Sequence, residues 1–113
     1  MLVMMATNLD RLRAIALALP ETHEELTWGT DITFRVRTKI FCTPGDGTSF
    51  AVKVPNEQLV ALLDDPRFQL APYWGRFGWV RVRLERPIDW DEVTALVHGS
   101  YRLIAPKTLA RQV

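Results

Sequence analysis

The sequence is poor in the residues that most often carry chemistry: it has one cysteine, Cys42, and two histidines, His23 and His98, in 113 residues. A single cysteine excludes an intrachain disulfide and suits a reducing compartment. Structural zinc takes three or four Cys and His ligands at short spacings, and no Cys-x-x-Cys pair is present, so no metal is expected. No continuous apolar run approaches the roughly eighteen residues of a spanning helix. The short apolar stretch from Ala14 to Leu19 follows Asp10 and reads as the buried side of a helix rather than a secretory signal. The expectation is a cytoplasmic protein with no membrane partner. Excess charge of one sign is missing too. Fourteen Lys and Arg against thirteen Asp and Glu leave a formal charge of +1, so an electrostatic partner has to be met by a local patch.

Catalytic patterns are equally scarce. A thiolate nucleophile needs a base or a cation beside it, and nothing in the spacing brings His23 or His98 to Cys42. Cys42 reads instead as a small strand residue beside a hairpin turn. His98 shares helical spacing with Asp91 and Arg102, on the solvated side of a helix. Gly45-Asp46-Gly47 lacks the following Gly-Lys-Ser/Thr and lies between strands, so it reads as a turn and not a phosphate loop. No enzyme activity and no cofactor are expected.

What is present is a regular pattern of elements in one domain, residues 1–113. Apolar residues make up 48% and charged residues 24%, enough for one packed core. Thr7 and Asp10 resemble a capping box ahead of Leu9, Leu12, Ala16 and Leu19 at helical spacing, closed by Pro20. From His23 to Trp28 the pattern is weaker. Ile32, Phe34 and Val36 then alternate with polar residues, Lys39–Thr43 forms a second strand, and Phe50, Val52 and Val54 a third after the Pro44–Gly47 turn. Pro55 and Asn56 open a short helix that ends near Pro66. Trp79–Leu84 is the clearest strand, and Asp89 with Glu92 caps a last helix broken by Pro106. This order predicts an α+β fold: an antiparallel sheet with helices packed on one face, a two-layer sandwich whose other face is partly bare.

Two groups of residues stand out on that plan. Arg35, Arg37, Lys53, Arg81 and Arg83, with Trp79, point outward from three strands and would share the helix-free face. Such a surface can contact phosphates and stack a base. Exposed strand faces also carry Arg and Lys simply to stay wet and to discourage edge pairing. The second group is the loop Pro72-Tyr73-Trp74-Gly75-Arg76-Phe77-Gly78. It is too aromatic for a plain connector and is expected to pack against the core or a twin subunit, with Gly75 and Gly78 allowing the bends. Trp74 and Arg76 of this loop, with Lys107 after Pro106, are the candidate contacts with a ligand or partner.

Trp28-Gly29, Phe34, Val36, Lys39, Phe41, Val52-Lys53-Val54, Pro72-Tyr73, Gly78-Trp79-Val80, Leu84, Ser100-Tyr101-Arg102-Leu103 and Pro106-Lys107 together resemble the MmcQ/YjbR family of small bacterial proteins, a domain of unknown function. The resemblance spans nearly the whole chain. It implies a fold similar to secretion chaperones, an α+β sandwich on an antiparallel sheet. It also implies DNA binding by analogy of fold with a "double wing" phage transcription factor, and offers no catalytic residues. The family usually has Pro where Thr30-Asp31 stands, so the turn before Ile32 is expected to differ. The leading expectation is therefore a non-enzymatic binding domain whose basic sheet face contacts DNA or RNA. The alternative is a protein-interaction or self-association module using the open face and the aromatic loop.

Overall fold

The computed structural model describes residues 7–29 and 31–113; Thr30, half of the Thr30-Asp31 departure, lies outside them. The chain runs α1 (Asn8–Leu17), β1 (Thr22–Thr27), β2 (Asp31–Val36), β3 (Lys39–Thr43), β4 (Ser49–Lys53), α2 (Asn56–Leu63), β5 (Phe68–Leu70), one 3-10 turn (Gly75–Phe77), β6 (Trp79–Arg83), α3 (Trp90–Ile104) and α4 (Lys107–Ala110). The six strands form one antiparallel sheet in the order β1-β2-β3-β4-β6-β5. The α+β architecture expected from the alternation is thus present, with two strands, β1 and β5, beyond those legible in the pattern.

The helix starts follow from capping chemistry. Thr7 and Asp10 form the reciprocal capping box at α1, each side chain bonding the other's backbone N–H. At α3 the Asp89 carboxylate accepts from the backbone N–H groups of Asp91 and Glu92. Glu92 does not complete a box; its carboxylate pairs with Arg67 at 2.8 Å.

One face of the sheet is covered by α1 and α3, which also touch each other. Strand alternation sends Phe34, Phe50, Val52, Val80 and Val82 to this side, where they meet Leu12, Ala16, Val93, Val97 and Tyr101. The pairing of β2 with β3 shifts by one residue between Phe34↔Cys42 and Arg35↔Ile40. The extra residue, Phe41, is buried along with Cys42. Its ring meets Tyr101 edge-on at 5.4 Å. Ser100 of α3 fastens helix to sheet: its hydroxyl donates to the Phe41 carbonyl at 2.6 Å and accepts from the Lys53 backbone N–H at 2.9 Å. Among the described residues no helix is long and apolar enough to cross a membrane.

Candidate functional site

The opposite face is built from the alternate residues. Register places Glu25 opposite Thr33, and Ala51 opposite Arg81, which in turn faces Gln69. Thr43 is the partner of Ala51. A row therefore crosses the sheet through Thr33, Thr43, Ala51 and Arg81, and the first three of these side chains are small. Small side chains leave space above the sheet, and the aromatic loop folds back into part of it. Trp74 meets Trp79 at 5.1 Å and Trp28, from the β1–β2 turn, at 6.0 Å, both edge-on. The three rings form an arch from β6 toward the other side of the sheet.

The arch is held by its own backbone. Ala71 donates to Trp79 O, Gly75 to Ala71 O and Gly78 to Gly75 O, all at 2.8–3.0 Å. Glycine is required at both bends: a Cβ on Gly75 would lie 2.9 Å from Leu70 Cβ, and Gly78 has φ 87° with Val54 O 3.1 Å from where its Cβ would stand. Between the arch and the Gly45–Asp46 turn lies a groove of about 900 Å³ whose floor includes Thr33, Thr43, Ala51 and Arg81. That volume falls within the size of ordinary ligand clefts.

Trp28 and Tyr73 line the groove and are unusual in two ways. Trp28 is 68% and Tyr73 91% exposed. Each also adopts the left-handed backbone region, with φ 53° and 65°, which is rare for bulky side chains. The expectation that every loop aromatic is packed therefore fails at Tyr73, and Phe77 is also exposed. Two further non-glycine residues share the positive φ, Glu21 and Arg37, and they are paired with each other at 3.1 Å.

The six residues expected on a basic, stacking face are not equivalent. Trp79 is 7% exposed beneath Trp74, so its ring is not open to a base. Arg37 lies beyond β2 in the turn to β3 and pairs with Glu21, not on the strand face. Arg35 lies along the face with its guanidinium fully engaged: Glu25 at 2.7 Å, the Thr38 carbonyl at 2.9 Å and the Thr27 hydroxyl at 3.0 Å. Arg83 pairs with Glu85 at 3.0 Å and donates to Pro66 O. Arg81 and Lys53 make no ion pair among the described residues. Arg81 opens into the groove, whereas Lys53 lines a separate shallow cleft with Arg76 and Phe77. Of the loop candidates, Trp74 belongs to the groove and Arg76 to that second cleft. Lys107, exposed at the start of α4, lines neither.

Burial pushes the Cys42 thiol well above its ordinary pKa, the opposite of an activated nucleophile. His98 is not on a fully solvated side; partial burial, then Arg102, holds its pKa below the ordinary value. Among the described residues no group of three or more His, Cys, Asp and Glu side chains is placed to hold a metal ion. Trp28 and Tyr73 were missed as site residues because exposure and backbone strain leave no mark on apolar periodicity.

A comparison with curated proteins finds no match. Among solved structures, the crystal structure of the Deinococcus radiodurans protein DR2400, a DUF419 domain, superposes with a TM-score of 0.77 at 21% identity. It covers 96% of this chain and 88% of its own, a likeness of fold. The YjbR family model matches residues 17–103, from the end of α1 through nearly all of α3. The chain belongs to the YjbR family.

Proposed function

We propose that this domain is a non-enzymatic binding module that holds a segment of a partner polypeptide in the groove on its open sheet face. The observation that carries the reading is the pair Trp28 and Tyr73: two exposed aromatic side chains, held in left-handed backbone in two different connections of the sheet, lining one groove with Arg81, which makes no ion pair among the described residues. Trp, Tyr and Arg are the residue types that dominate protein-binding hot spots. Strained backbone at solvent-facing rings favours a role in recognition over one in packing. The cytoplasm is the proposed setting, since one buried thiol fits a reducing compartment.

Nucleic acid is the second reading. A single strand would use the rings of Trp28 and Tyr73 for stacking, with Arg81 and Lys53 on phosphates. Against it, Arg35, Arg37 and Arg83 are offset by Glu25, Glu21 and Glu85. Asp31 and Asp46 also bring two carboxylates to the groove itself.

The two readings separate in one experiment. A random peptide library is panned on the wild-type domain and on a Trp28→Ser/Tyr73→Ser variant whose unfolding midpoint shows it folded. Labelled oligonucleotides are titrated against both. Peptides enriched only on the wild type support the proposal. No ring-dependent peptides, together with salt-steep oligonucleotide binding lost on Arg81→Glu, would replace it with the nucleic-acid reading.

A further inference from the structure

The groove is charged unevenly along its length. Asp31 stands at the start of β2 and Asp46 in the β3–β4 turn, while Arg81 stands on β6. The Asp31 carboxylate and the Arg81 guanidinium make no hydrogen bond or ion pair among the described residues, so both are open to an incoming group. Asp46 keeps its charge: its Oδ1 accepts from the Thr48 backbone N–H at 3.0 Å and from the Thr48 hydroxyl at 2.6 Å, which holds its pKa low. The neighbouring ring of Trp28 offers a π face that attracts a cation. One end of the groove therefore suits a positive group and the other a negative one.

We infer that the polypeptide held in the groove is an extended segment carrying a basic and an acidic side chain four residues apart, with the basic one at Trp28 and Asp31 and the acidic one on Arg81. The inference rests on the polypeptide reading above and adds its chemistry. From Asp31 to Arg81 the path crosses β3 and β4 in three interstrand steps and moves two residues along the strands, because Arg81 lies in the row of Thr33; the span is roughly 16 Å, which side-chain reach brings within range of a residue pair about 14 Å apart. An extended chain advances about 3.4 Å per residue and alternates its side chains, so residues i and i+4 face the same way about 14 Å apart. Residues i and i+3 face opposite ways and cannot serve both ends.

The test uses fluorescein-labelled synthetic peptides on a Ser/Thr/Gly host. Lys and Glu are placed four apart in either chain order, three apart, or replaced by two Lys or two Glu, and anisotropy is read at low salt. The spacing-four pair in one of the two orders is expected to bind about threefold tighter than the spacing-three pair, the worth of the one partly exposed ion pair that spacing three forfeits. Arg81→Glu should erase that preference. Asp31→Lys with Arg81→Asp should transfer it to the opposite order. Equal binding at both spacings, tightest binding by the like-charged peptides, or no binding by any of them at about 1 mM overturns the inference. Peptides from the random library separate this failure from that of the wider reading. Selected binders that need Trp28 and Tyr73 but lack the charged pair would remove the spacing rule alone. Binders that ignore both rings would remove both.

Discussion

On the helix-covered face, Phe34, Phe50, Val52, Val80 and Val82 are each at most 2% exposed and share one core cluster with side chains of α1 and α3. One residue along on the same strands, Thr33, Ala51 and Arg81 belong to a face with no helix, and the aromatic arch covers only part of it. The first face is close-packed, and Ser100 bonds the Phe41 carbonyl and the Lys53 N–H beneath α3. The second keeps a groove, two left-handed aromatic residues and the Arg81 guanidinium, which has no ion pair among the described residues. The comparison teaches that the same alternation supplies both stability and an opening. The difference lies in which face meets a helix and which meets a loop pinned by its own hydrogen bonds.

If this division is right, substitutions on the two faces should separate stability from binding. Phe50→Ala on the covered face should cost about 3–5 kcal/mol of folding free energy, read from urea unfolding, because a buried ring leaves a cavity. A cost near zero would mean that the core lies elsewhere. Ser100→Ala should cost about 1–3 kcal/mol by the same measurement, since it strands a buried carbonyl at Phe41 and an N–H at Lys53. On the open face the sign should reverse. Tyr73→Gly is expected to leave stability unchanged or raise it by about 1 kcal/mol, because glycine tolerates φ 65° and the ring is exposed, while peptide binding is lost. A clear loss of stability would show that the ring packs.

The smallest effect concerns His98 on α3. Its pKa is lowered by partial burial from the ordinary 6.5, so the unfolded chain takes up a proton more readily than the folded one. Stability from this group is present above about pH 6.5 and is lost as pH falls below it. His98→Gln should flatten that part of the curve, measured as unfolding midpoints between about pH 7 and pH 5.

Much of the covered face was legible in the sequence, because capping and apolar alternation are local. Thr7 with Asp10, Asp89, Pro55 and the strands from Ile32 to Val54 carry their own signals. The strand β1 was not legible: Thr-His-Glu-Glu-Leu-Thr lies at the sheet edge with four of its residues exposed, so no buried face writes a pattern. With β1 unread, the Glu25 partner of Arg35 stayed hidden, and a structural cation read as a free one. The three-residue β5 is too short to show a period. The arch depends on tertiary placement: that Trp79 is roofed by Trp74, and Trp74 reached by Trp28, follows from register across the whole sheet.

The groove, not the strand cations as a set, is the binding surface proposed for this domain. Two-dimensional NMR of the 15N-labelled domain, titrated with a peptide selected from the random library, tests it most directly. Shifts are expected to concentrate at the indole N–H groups of Trp28 and Trp74 and the amides of Thr33, Thr43, Ala51 and Arg81. Shifts that cluster instead on α2, α3 or the outer edge of β1, with those groove signals unmoved, would contradict it.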